Sequence, residues 1–110
     1  MTTLNLELYK PISLDQFNTL SDTELDILLL YLANRTKRDI QMQLQLSDFI
    51  VSGHLHLIYS KLGIYPKTRM LMKRKMRHSM VYGELRFLLE YVHVNMYHEN
   101  KFKARRKKMF

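Results

Sequence analysis

Ser21, Thr36 and Ser47 each stand ahead of a stretch whose apolar residues recur at helical spacing, and this series of helix starts constrains the fold most. A side-chain oxygen at an N-cap satisfies backbone N–H groups that have no partner in the first turn of a helix. Ser21 and Glu24 have capping-box spacing, in which each residue satisfies the other's backbone donor. Behind them Leu25, Leu28, Leu29 and Leu32 recur at helical spacing, and the run ends near Ala33-Asn34. Thr36, with Asp39 three residues on, opens a short helix whose Ile40 and Leu44 face inward. Leu46-Ser47 supplies the next turn and cap. From there Val51, Leu55, Ile58 and Leu62 form an i, i+4, i+7, i+11 stripe that Gly63 terminates. Three helices joined by very short turns predict an all-α core.

The flanks extend it. Leu4, Leu6 and Leu8 alternate, as in a short strand or an extended arm ended by Lys10-Pro11, and Ser13 can cap a short helix holding Leu14 and Phe17. After the Tyr65-Pro66 break a basic helix is expected from Lys67 to about His78. Met70, Leu71 and Met76 would supply its buried side, and Arg69, Lys73, Arg74 and Arg77 its wet side. A final long helix is expected from Ser79 to about Asn95, with Val81, Leu85, Leu88 and Val92 on one line and Tyr82, Phe87, Leu89, Tyr91 and Val94 beside it. That is more apolar surface than a 110-residue monomer readily buries. The line through Val81, Leu85, Leu88 and Val92 is therefore either a homodimer contact, the preferred reading, or a stripe that folds back on the monomer core. The expected organisation is 1–19 as arm and short helix, 20–78 as the central domain, and 79–110 as a C-terminal helix and basic tail.

Charge is divided unevenly along the chain. Residues 1–66 carry five Lys or Arg against seven acids, whereas residues 67–110 carry thirteen against three, so the net +8 lies wholly in the second part. Such a basic segment suggests a polyanionic partner, either nucleic acid or an anionic membrane surface; the plain alternative is a solubilising tail. The chain has no cysteine, which excludes a disulfide framework and fits a reducing cytoplasm. The N-terminus shows no signal-peptide pattern, and the longest apolar run, Ile27 to Ala33, is far too short to span a bilayer.

The capped helices resemble the LuxR-type helix-turn-helix. That family opens Leu-Thr-x-x-Glu, runs into an apolar helix, continues Asn-Lys-Glu-Ile-Ala and Leu-Ser-x-x-Thr-Val-Lys-x-His, and closes Ile-x-x-Lys-Leu-Gly-Val. Here the corresponding residues are Leu20-Ser21-Asp22-Thr23-Glu24, Ile27 to Leu30, Thr36-Lys37-Arg38-Asp39-Ile40, Leu44 to Ser47, Val51, His54, Ile58 and Lys61-Leu62-Gly63-Ile64. The match runs without a gap over about 45 of the 110 residues. The resemblance implies a tetrahelical fold and double-stranded DNA as partner, with the helix at 47–62 in the major groove. It implies that Ser47 caps that helix toward a phosphate and that Ser52, Gly53 and His56 face the groove. It places Lys37, Ile50, His54 and Lys61 at positions that touch or flank phosphates. In this family the fourth helix commonly makes the dimer contact, which Met70, Leu71 and Met76 could do here.

The chain also departs from the family. Ser52 replaces the usual Lys after Val, Ile50 the usual Thr before it, and Gly53 sits inside the helix at a cost of roughly 1 kcal/mol relative to Ala. The presumed reading face is nearly neutral, whereas counterion release needs several cationic contacts. Two readings follow. In the first, Lys67, Arg69, Lys73 and Arg74, with the C-terminal tail, supply the missing phosphate contacts of a sequence-specific, homodimeric transcription regulator. In the second, the motif serves protein interaction, with RNA polymerase or another regulator as partner. A promoter-reading domain of sigma factors looks similar, but Lys61-Leu62-Gly63-Ile64 and His54 favour the LuxR type.

Other chemistry is not expected. His54 and His56 diverge on a helix, and His93 and His98 are poorly spaced for a shared metal. There is no Gly-rich phosphate loop and no activated Ser or Cys pattern, so neither an enzyme nor a cofactor is expected. The basic stretch at 67–78 could lie on a membrane, but its place directly after the helix-turn-helix favours DNA.

Overall fold

The computed structural model describes residues 12–79 and 82–94, without the side chains of 84, 88 and 91–94. The N-terminal alternation, Val81 and the basic tail lie outside the described residues, as do the side chains of Leu88 and Val92. The described residues form six helices in order: α1 (Leu14–Asn18), α2 (Asp22–Leu32), α3 (Lys37–Leu44), α4 (Asp48–Lys61), α5 (Arg69–Arg77) and α6 (Tyr82–Val94). Among the described residues there is no strand, and this part of the chain is all-α.

The helix starts follow the capping chemistry. Ser21 Oγ accepts from the Glu24 N–H at 3.1 Å while Glu24 Oε1 accepts from the Ser21 N–H at 2.8 Å. Ser13 with Gln16 and Thr36 with Asp39 close the same box, and Ser47 caps α4 by accepting from the Ile50 N–H at 3.2 Å. The basic helix starts at Arg69, two residues later than expected, because Thr68 is its N-cap and accepts from the Leu71 N–H at 3.2 Å. The helix ends share a device as well. Asn34, Gln45 and Gly63 adopt φ of 64°, 56° and 66° after α2, α3 and α4. In each case the next N–H reaches back five residues: Arg35 to Leu30 O at 3.1 Å, Leu46 to Gln41 O at 3.0 Å, Ile64 to Tyr59 O at 2.9 Å. These are Schellman endings, which glycine adopts freely and which cost a residue with a Cβ about 1 kcal/mol.

α2 is the centre of the molecule. It packs against α3, α4, α5 and α6, and Leu25, Ile27, Leu28, Leu29, Leu30 and Leu32 are all buried. A helix enclosed on nearly every side needs more than the one apolar stripe that spacing alone suggests. Ile40, Val51, Ile58, Leu62, Leu71, Met72, Met76 and Leu85 close around it, and Ile12 and Phe17 seal one side of the same core.

Two expectations are corrected here. Met70 is 71% exposed, and α5 instead buries Leu71, Met72, Lys75 and Met76. The buried line is rotated because Lys75 turns inward and donates to Gly63 O at 3.0 Å, capping the end of α4. Leu85, expected on a dimer face, is 0% exposed. It lies with Leu32 and Met76 around a small cleft between α2, α5 and α6, so this position folds back on its own chain.

Candidate nucleic-acid interface

α3 and α4 are separated only by Gln45, Leu46 and Ser47, and α4 rests on both α2 and α3. The left-handed Gln45 reverses the chain at the end of α3, and the Ser47 cap starts α4 two residues later. Val51, Ile58 and Tyr59 form the buried side of α4, with Leu55 partly buried beside them. A fixed inner side fixes the outer one. Phe49 is 83% exposed, Ile50 41% and Leu57 48%, and with Gly53, His54 and His56 they line a shallow, largely apolar groove along the helix.

The expected site residues divide into outward and inward groups. Ile50, Gly53 and His56 are outward, and Ser52 is half-buried at the edge. Lys37 is exposed at the start of α3, with Nζ 3.2 Å from Asp48 Oδ1 at the start of α4. Lys67 is exposed, and its Nζ stands against the His56 ring, 2.9 Å from Nδ1. Arg74 is exposed on α5. Ser47 spends its hydroxyl on the cap.

Lys61 and His54 turn inward instead. Lys61 Nζ donates to Glu24 Oε1 at 2.7 Å and to Thr19 O at 3.2 Å. His54 is half-buried, its Nδ1 3.9 Å from Glu24 Oε2. Glu24 is 2% exposed. Burial alone would push its carboxyl upward, but the Lys61 hydrogen bond, the Ser21 N–H and the Lys61 charge together hold it below the ordinary carboxylate value. This carboxylate ties the N-terminus of α2 to the far end of α4. Lys61 is thus a positioning residue, not a free cation for phosphate.

Two further expected cations are also engaged within the fold. Arg69 Nη2 donates to Arg35 O at 2.9 Å, and its guanidinium lies 3.9 Å over the Tyr31 ring. Tyr31 in turn meets Tyr59 edge-on and accepts a hydrogen bond from its hydroxyl at 3.2 Å. Lys73 donates to Asn34 Oδ1. Arg69 and Lys73 therefore brace α5 against the end of α2, and Lys67 is the basic residue placed beside His56.

Phe49 and Leu57 are the residues that sequence reasoning passed over. Their signal was present in the helical register: with Gly53 they stand at i, i+4 and i+8, off the Val51–Leu55–Ile58–Leu62 stripe. Among the described residues no cluster of three or more His, Asp or Glu is placed to hold a metal ion, and no helix is long and apolar enough to cross a membrane. No family model, curated protein or solved structure matches the chain.

Proposed function

We propose that the chain is a sequence-specific DNA-binding transcription regulator of the helix-turn-helix type, acting in the cytoplasm, with α4 entering the major groove. The observation that carries this reading is the placement of α4. It is held from behind through Val51, Ile58 and Tyr59 while its outer side stands clear of the core. Lys37 is exposed near its N-terminal end, and Lys67 lies along its side. A Ser-capped N-terminus with flanking cations suits a phosphate backbone. The resemblance to the LuxR-type motif over 20–64 supports the same assignment. Homodimerisation belongs to this proposal, without Leu85 as the contact; Phe87 on α6 and Met70 on α5 are the outward apolar residues that could serve it.

The test is binding of the intact chain to duplex DNA, followed by fluorescence anisotropy across a salt series. With Arg69, Lys61 and Lys73 engaged internally, few phosphate contacts remain in the described residues, so the logarithmic salt slope should be shallow, at about −0.9 per contact. Absence of binding at low salt would overturn the reading. The exposed Phe49, Ile50 and Leu57 favour one rival, a module that docks on RNA polymerase or another regulator. A complex with such a partner that survives nuclease and high salt, together with no binding of duplex, would select it.

A further inference from the structure

We infer that α4 reads thymine-rich duplex, recognising the C5 methyl groups of thymine in the major groove rather than hydrogen-bonding patterns on base edges; this rests on the DNA-binding reading above. Direct readout in the major groove ordinarily uses Arg or Lys on guanine and Asn or Gln on adenine. From Asp48 to Ser60, α4 contains none of these four residue types. Asp48, which could accept from cytosine, is occupied by Lys37 at 3.2 Å and by Gln41 Nε2 at 3.0 Å.

What α4 does present is Phe49, Ile50 and Leu57, all well exposed around Gly53. Apolar side chains in the major groove have one complementary feature on the bases, the thymine methyl. Phe49 and Leu57 are eight residues apart on one face, about 12 Å along the helix, which spans roughly three to four base-pair steps. Between them Gly53 carries no side chain, and the space a Cβ would enter is open. The backbone can therefore come close to the groove floor while the two larger side chains straddle it. The flanks carry the opposite chemistry: Lys37 at the N-terminal end of α4 and Lys67 against His56. An apolar strip bordered by Lys67 and by the Lys37–Asp48 pair complements a methyl-lined floor beside a phosphate backbone, whereas a wholly apolar protein surface would offer Lys67 no anionic partner.

The experiment selects duplexes from a random pool with the intact chain at low salt. It then compares each selected duplex with a copy in which deoxyuridine replaces thymine, a change that removes only the methyl group. Enrichment of thymine runs is expected, with affinity falling about fourfold for each contacted methyl lost. Phe49→Ala and Leu57→Ala should each lose part of the preference for thymine over deoxyuridine, and the double variant should bind the two duplexes alike while keeping the wild-type salt slope. Sequence-selective binding that is indifferent to deoxyuridine overturns the methyl reading and leaves the DNA reading intact. Concentration-dependent self-association abolished by Phe49→Asp also overturns it, by assigning the strip to a second copy of the chain. Failure to retain any duplex defeats the DNA reading itself.

Discussion

Gly53 lies in the interior of α4, five residues after Asp48 and eight before Lys61, and replacing it by alanine separates folding from function. A Cβ built at this position meets nothing within 4 Å, so the methyl neither clashes with the chain nor gains packing. The remaining effect is conformational. Glycine loses more backbone freedom than alanine on entering a helix, and the difference is about 1 kcal/mol. With about 2.1 cal/mol/K of unfolding entropy per residue, a chain of 110 residues should convert this gain into a Tm rise of about 4 °C. Far-UV circular dichroism melting of the wild type and Gly53→Ala reads it directly. Gly83→Ala, at the second residue of α6, where the added Cβ is also unopposed, should give a smaller rise, because the glycine penalty is full only in a helix interior. Only Gly53→Ala should weaken duplex binding, because only there does the backbone face the groove. An unchanged or lowered Tm for Gly53→Ala would refute the claim of open space. A raised Tm with undiminished affinity would refute the close approach to DNA.

Other substitutions test the frame around α4. Gln45→Gly should raise stability by about 1 kcal/mol in urea denaturation, by relieving the left-handed glutamine, whereas Gly63→Ala, at φ +66°, should lower it by roughly the same amount. Glu24→Gln should cost about 2 kcal/mol at neutral pH, since it weakens charge-assisted bonds from both Ser21 and Lys61. The carboxyl of Glu24 sits below the ordinary carboxylate value when folded, so its contribution is present above that ordinary value and is lost as pH falls through the lower, folded one. The stability gap between wild type and Glu24→Gln should accordingly close on acidification; a gap that widens in acid would contradict the assignment. Leu85→Ala should cost about 2–5 kcal/mol without altering the oligomeric state in sedimentation, as befits a residue in the monomer core. Arg74→Ala, which removes an exposed cation, should leave the unfolding free energy within about 0.5 kcal/mol of wild type and reduce the salt slope of DNA binding by about one.

The helix starts at Ser13, Ser21, Thr36 and Ser47 were legible in the sequence because capping is local: donor and acceptor lie within three residues. The same holds for the buried line of Val51, Ile58 and Leu62 and for the stop at Gly63. Readings that depended on distant partners went differently. Lys61 resembled a phosphate-flanking cation until the fold brought Glu24 within 2.7 Å, from thirty-seven residues away. Lys75, a polar residue on any hydropathy scale, is buried because the Gly63 carbonyl is there to receive it, and its inward turn leaves Met70 in solvent. The apolar line of α6 has one period whether it meets α2 of its own chain or a second subunit, so spacing could not decide the fate of Leu85. Phe49 and Leu57 were passed over because the family pattern directs attention to Ser52 and His56, while exposure is a property of the assembled bundle.

The all-round burial of α2 has a kinetic consequence. Its contacts with α3 and α4 close over short loops, each turned by a locally encoded helix end, and loops of that length cost little chain entropy. Its contact with α6 closes only when residues 82–94 return to residues 22–32. Assembly should therefore proceed from an α2–α3–α4 nucleus, with α6 docking late. In native-state hydrogen exchange the amides of α2 should open only with global unfolding, whereas those of α6 should exchange through a cheaper, partial opening that uncovers Leu32 and Met76.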